Sequence, residues 1–247
     1  MSKKLYIHNE IEHNTVAAEV IVPHLVQLLN PKSVLDVGCG IGTWMSVFHQ
    51  HNVLINGIDG DFVDRTLLKK FTDLSHFQAI DLAKPFNLNQ RYDLAISLEV
   101  AEHLPPESAE GFVASIVKHA DTVVFSAANK WQGGQNHLNE QYASYWANLF
   151  AKHGYQCYDL IRPLVWNQPQ VDKWYKQNIL VYSKHALLPS PSQNINLIHP
   201  DYWEKRTRKV VRLMDNLTLI RSGKAGLLFY LKSLFRSVSH FGKKYPM

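Results

Sequence analysis

Along the first 186 positions, short apolar runs alternate with amphipathic stretches of helical period. The spacing predicts strands near 33–37, 53–58, 77–80, 92–97 and 122–127, with helices near 42–50, 62–70, 106–119 and 139–152. Asn14 or Thr15 caps an earlier helix that puts Val16, Val20, Ile21, Leu25 and Leu28 on one face, and Pro31 stops it. Later runs near 155–160 and 178–183 complete the pattern. Strands and helices in strict alternation predict a doubly wound α/β domain with helices on both faces of the sheet.

From 187 to 200 the chain carries Pro189, Ser190, Pro191, Ser192 and two asparagines, and this composition reads as a linker. Beyond it, 201–247 reads as a helical tail. Val210, Leu213, Met214, Leu217 and Ile220 recur at helical spacing, Gly223 and Gly226 interrupt, and Leu227, Leu231, Leu234 and Val238 form a second stripe. The expected division is therefore a body over 1–186, a linker and the tail.

Charge sharpens that division. The 247 residues carry a net +5, and 46% are apolar, enough for a large core. The segment 201–247 has 11 Lys/Arg against 3 Asp/Glu, or +8, while the remainder has 15 against 18, or −3. A mildly acidic body thus carries a basic tail, which bears on the tail's partners and not on the fold. Two readings of the tail stand: an amphipathic helix lying on a membrane surface, or a helix docked on the body or on a second subunit. No RNA- or DNA-binding module accompanies the basic residues, so nucleic acid is not favoured. Two cysteines make no disulfide framework, and Lys3 and Lys4 precede no apolar h-region. With no run long enough to span a bilayer, the expectation is a cytoplasmic protein, either free or peripheral at the inner membrane face.

The chemistry gathers at strand ends. Val34-Leu35-Asp36-Val37-Gly38-Cys39-Gly40-Ile41-Gly42 joins a strand to a glycine turn, and Thr43 and Trp44 open the next helix. Glycines let turn amides approach a ligand, while Asp36 suits a cationic amine and would repel a pyrophosphate. The turn reads G-x-G-x-G, not G-x-G-x-x-G, and no G-K-[ST] follows. Asp59, at the end of the second strand and beside Gly60, is placed for ribose hydroxyls, and Asp81 with Leu82 for an adenine. The fourth strand runs through Leu98 into Glu99, Glu102 and His103, an E-x-x-E-H segment.

These four motifs, in this order, resemble class I S-adenosylmethionine-dependent methyltransferases over roughly 14–183. The resemblance implies a Rossmann-like seven-stranded sheet and a cofactor site of Asp36, Gly38, Cys39, Gly40, Thr43, Trp44, Asp59, Gly60, Asp81, Leu82, Leu98 and Glu99. Ser97 to Pro105, Phe125 to Ala128, Gly133 to Gln141, Tyr145-Trp146 and Trp174 to Asn178 are similar to bacterial methyltransferases found beside glycosyltransferases in surface-glycan clusters. That narrower likeness implies O-methylation of a sugar, in a glycan or a lipid-linked saccharide.

A hydroxyl acceptor must lose a proton, and an imidazole titrates near neutrality, so His103 and His137 are the candidate bases with Glu102 beside them. Glu99, Glu102, His103 and His137 also form an alternative set for a divalent metal, less favoured than a site without one. That alternative goes with a metal-assisted enzyme acting on a small-molecule or RNA hydroxyl. A non-catalytic cofactor-binding scaffold is the reading from another class. Trp166 and Trp174 are expected to wall an acceptor and Arg162 and Lys173 to meet an anionic group on it, whereas Tyr145 and Trp146 pack a helix on the sheet. His49 and His51 end a helix, where a cation suits the dipole, and His8, His13, His76, His119, His153, His185, His199 and His240 show no ligand spacing.

Overall fold

The computed structural model describes residues 14–192 and 194–239. Expectations for Lys3, Lys4, His8, His13 and His240 lie outside them. The elements are α1 (Val16–Leu29), β1 (Ser33–Val37), α2 (Thr43–Gln50), β2 (Leu54–Asp59), α3 (Arg65–Leu68), β3 (Phe77–Ala79), β4 (Leu94–Leu98), α4 (Ala109–Ile116), β5 (Thr122–Ser126), α5 (Ala143–Ala151), β6 (Gln156–Tyr158), α6 (Arg162–Val165), α7 (Lys173–Asn178), β7 (Leu180–Ser183), α8 (Pro200–Arg221) and α9 (Leu227–Ser239).

Seven strands form one sheet in the order β3-β2-β1-β4-β5-β7-β6, with β1 to β5 parallel and β7 antiparallel to both its neighbours. The predicted doubly wound α/β class is the observed one. Successive strand residues point to opposite faces. Val34, Leu94, Ile96, Val124 and Val181 therefore join the core under α1 and α2. Leu35, Ala95, Val123, Phe125 and Tyr182 join the other core, under α4 and α5. Both faces being covered, the strands read as continuous apolar runs rather than as alternating ones.

Three local expectations shift. In α1 the buried stripe is Ala17, Ala18, Ile21, Val22 and Leu25, while Val16 and Leu28 are exposed; the two alanines let the helix approach the sheet closely. The helix near 62–70 is cut to the four residues of α3, started by Asp64, whose carboxylate accepts from the amides of Thr66 and Leu67. α5 starts at Ala143, not 139, because the preceding loop is tied down elsewhere. The amides of Leu138 and Asn139 donate to the Glu102 carbonyl at 2.7 and 3.0 Å, and that of Gln141 to Ala128 at 3.2 Å.

The stretch expected as a linker is tied into the body. The Ser192 amide donates to the Cys157 carbonyl at 2.8 Å, Ile195 is buried in the core, and the His199 amide donates to Gln177 Oε1 at 3.0 Å. The chain divides into two compact units between His199 and Pro200. The prolines here shape a strap whose polar backbone finds partners, which composition does not distinguish from free linker. In the second unit α8 and α9 are joined across Gly223 and Gly226, at φ 74° and 81°, so the glycines break the helix where expected. Among the described residues, no helix is long and apolar enough to cross a membrane.

Candidate active site

Where strand order reverses, between β1 and β4, the carboxyl ends of parallel strands leave a crevice. The turn after β1 enters it with Gly38, Gly40 and Gly42 at φ 87°, 53° and 84°. These values favour glycine, and at Gly38 an added Cβ would also lie 2.3 Å from a Val100 methyl. Gly38→Ala is accordingly expected to cost about 2–5 kcal/mol, from left-handed strain plus overpacking. Thermal unfolding checks this, and an unchanged Tm would refute it.

Four amides of the turn are engaged within the protein. Gly38 and Cys39 donate to the Ile58 carbonyl at 2.7 and 3.2 Å, and Gly42 to the Cys39 carbonyl at 2.9 Å. Gly40 donates to Asp59 Oδ2 at 2.8 Å. The glycines therefore shape the turn, and two carboxylates, Asp36 and Asp59, stand beside it. Asp36 is 3% exposed, and its Oδ2 has no hydrogen-bond partner. Burial, and then the charge of Asp59, push its pKa well up. An ammonium placed there would relieve both costs.

Asp59 also accepts from the Gly60 amide at 2.6 Å. Burial raises its pKa to about 6 against the lowering effect of the Gly40 and Gly60 amides. Its oxygens keep lone pairs for further donors. The Phe62 ring covers Gly60, where a Cβ would come within 2.1 Å of it. Cys39, Thr43 and Trp44 are buried, Trp44 edge-on to Tyr175 at 5.2 Å. Leu82 is buried and Leu98 ends β4. Asp81 is exposed, accepts from the Ala83 amide and pairs with Lys84 at 3.3 Å.

Beyond β4, Glu99 adopts φ 55°, a left-handed backbone uncommon outside glycine. Its amide is held by the Ser126 carbonyl at 3.0 Å and Oγ at 3.1 Å. Its carboxylate accepts from Asn178 Nδ2 at 3.1 Å and Gln132 Nε2 at 3.2 Å. Such strain survives only where surroundings enforce it, here through the bonds to Ser126, Asn178 and Gln132. A 3-10 turn over Ala101–His103 follows. Glu102 is 1% exposed, and neither carboxylate oxygen has a hydrogen-bond partner. Burial, with Glu99 as neighbour, pushes its pKa well up.

The loop pinned to the Glu102 backbone brings His137 across the site. Its ring stands edge-on to His103 with centroids 5.0 Å apart, and Nδ1 meets Glu140 Oε1 at 2.8 Å. An Nδ1–H held by that carboxylate leaves Nε2 as the acceptor. Donor atoms of Glu102, His103 and His137 all lie within 4.8 Å of one another. Glu99, the fourth member of the alternative metal set, is not in that group; its carboxylate is engaged by Asn178 and Gln132.

On the acceptor side one expectation changes, that for Arg162, while Trp146 packs in the core as expected. Arg162 is 1% exposed; it forks onto Asp159 at 2.8 and 2.7 Å and donates to the carbonyls of Gln177 and Ile195. It braces the strap and does not face an acceptor. Trp166 is half-buried against His199, ring centroids 4.5 Å apart. Trp174 stands 6.1 Å from Tyr175. Trp146 is in the core against Phe125 at 5.1 Å. His119 is a core histidine, bonded through both nitrogens to Ser115 and Leu88.

Gln132, Gln177, Asn178 and Glu140 enter the site without having been assigned roles from sequence. The signal for the amides is their density in 132–141 and 173–178, two segments far apart in the chain.

A seven-stranded sheet of this order, with acids and glycines at its switch point, defines a Rossmann-like methyltransferase fold. The chain belongs to a methyltransferase-domain family whose model matches residues 12–160. It is 27% identical over 107 residues to the ubiquinone biosynthesis O-methyltransferase of Coxiella burnetii, covering 41% of this chain and 46% of that protein. For the enzyme of the same name from Salmonella enteritidis the figures are 29% over 105 residues, 40% and 43%. The chain thus spans about half the length of the curated relatives it matches.

Among solved structures, magnesium protoporphyrin IX methyltransferase of Synechocystis PCC 6803, with bound S-adenosylhomocysteine, aligns with a TM-score of 0.51 at 21% identity over 68% of this chain and 82% of that one. A sugar N-methyltransferase from Streptoalloteichus aligns with 0.54 at 12% identity over 75% and 98%. At these identities the likeness shows the fold.

Proposed function

We propose that this chain transfers a methyl group from S-adenosylmethionine to a hydroxyl oxygen, the acceptor being a sugar of a surface glycan or of a lipid-linked saccharide. The observation that carries the reading is the convergence of Glu102, His103 and His137 beside Glu99 at the carboxyl edge of β4. Methyl transfer from a sulfonium is an in-line displacement in which the cofactor brings its own leaving group. The chain's work is to align the acceptor oxygen and take its proton. His137, oriented by Glu140, and His103 are the bases that face each other there. The cofactor fits the residues present. Asp36, a buried carboxylate oxygen lacking a partner, would hold its ammonium, and Asp59 its ribose hydroxyls. Asp81 with Leu82 would take the adenine.

A second reading has a divalent cation assist the transfer, on a phenolic hydroxyl such as a ubiquinone precursor offers. Two observations favour it: the unpartnered Glu102 carboxylate amid two imidazoles, and the curated relatives' names. Glu102, His103 and His137 would hold the ion, which would lower the pKa of a hydroxyl bound to it.

Mass spectrometry of products from a polyprenyl-linked saccharide and from a phenolic quinone precursor, each with EDTA and with Mg²⁺ or Mn²⁺ restored, separates the readings. The first expects an O-methyl sugar formed in EDTA. A phenolic ether formed only with metal would establish the second. An N-methylated product would overturn both.

A further inference from the structure

We propose that the second unit docks on an anionic lipid bilayer through the apolar face of α9. On the helical wheel, Leu227, Leu228, Leu231, Leu234, Phe235 and Val238 share one sector of about 120°. All six are exposed, from 53% at Leu231 to 77% at Phe235. A face of this size left open on an amphipathic helix marks an interaction surface.

Charge decides what covers it. No Asp or Glu occurs after Asp215, while Arg221, Lys224, Lys232 and Arg236 do. Lys232 lies about 40° outside the apolar sector, and Arg236, one turn on, about 80° outside it on the same side. There their stems can follow the apolar surface while their charges reach a headgroup layer. A second copy would bring the same cations together with no carboxylate on α9 to offset them. A negatively charged lipid surface supplies the missing sign over the whole face.

Geometry agrees. The 13 residues of α9 span about 20 Å, too short for a bilayer core, so the helix lies in the interface. Its orientation is set by the corner. The Tyr230 hydroxyl donates to the Ile220 carbonyl at 2.7 Å and the Leu219 carbonyl at 3.1 Å. This bond caps the last turn of α8 and holds the start of α9 against it. On α8, Val210, Leu213, Met214 and Leu217 are likewise exposed, and Arg206, Lys209 and Arg212 are interspersed with them, which extends the basic, apolar surface. The inference concerns lipid binding alone and holds whichever acceptor the body uses.

The test is sedimentation of the full chain with vesicles of phosphatidylcholine alone or with about one third phosphatidylglycerol. Binding to the anionic vesicles is expected to be at least about tenfold stronger, and to fall in 0.5 M KCl. Leu231→Glu with Phe235→Glu should abolish it. Lys232→Glu with Arg236→Glu should remove the anionic preference. In both variants calorimetric binding of S-adenosylhomocysteine should match the parent, since all four positions lie in the second unit and not in the cofactor-binding one. Three results would overturn the proposal: no binding to either vesicle, equal binding to both that survives Lys232→Glu with Arg236→Glu, or a dimer in light scattering that Leu231→Glu with Phe235→Glu dissolves.

Discussion

Glu102→Gln is expected to lower the rate of methyl transfer about 10²–10⁴-fold, the usual range for losing a group that supports proton transfer. It should at the same time make the protein more stable. Glu102 is 1% exposed and its carboxylate has no hydrogen-bond partner, so folding removes a potential charge from water with little return. An amide of the same shape avoids that cost. A gain of about 1–3 kcal/mol corresponds to a rise of roughly 2–10 °C in Tm at pH 8. Activity and differential scanning calorimetry on the same preparation check both halves. A variant that is less stable and fully active would show that Glu102 is a packing residue. Adding Mn²⁺ to the parent and to the variant then tells a metal ligand from a supporting carboxylate: only a ligand makes the parent's Tm rise with the metal while the variant's does not.

Asp59→Ala is expected to weaken S-adenosylmethionine binding roughly 10²–10⁴-fold, from the loss of two hydrogen bonds to a charged acceptor. The parent should show a pH dependence with a definite sign. Burial lifts the Asp59 pKa to about 6, and ribose hydroxyls donate to its ionised form. Affinity should therefore level off above pH 7 and fall as pH drops through 6, becoming roughly tenfold weaker at pH 5 than at pH 8. The stability contribution runs the other way. An acid whose folded-state pKa is raised holds a proton that the unfolded chain releases, so its contribution to stability declines between about pH 4 and 6 and is flat above. Calorimetric titration across pH 5–8 reads the binding effect; an affinity flat over that range, and unchanged in Asp59→Ala, would remove Asp59 from the cofactor site.

The fold was legible because periodicity is a local signal. Mostly apolar runs at 33–37 and 122–126 declare strands buried on both faces, and the glycine turn after Asp36 declares its shape through backbone angles that few other residues accept. Asp59 and the E-x-x-E-H segment were readable for the same reason, since each sits at a strand end that a strand-helix alternation already places at one edge of the sheet. The tail's two stripes and basic character are likewise properties of sequence alone.

What only tertiary structure decided depends on residues distant in the chain. The Glu99 carboxylate is held by Asn178, 79 positions away, and stands outside the group that Glu102, His103 and His137 form. His137 reaches His103 because its loop hangs on the Glu102 carbonyl. Arg162 looked available to an acceptor and is instead buried in a fork with Asp159, and the proline-rich strap it braces looked like a linker. Periodicity and composition report the cost and shape of local backbone. Which polar partner a buried side chain finds is set by the packing of distant elements, and short-range patterns carry no record of that choice.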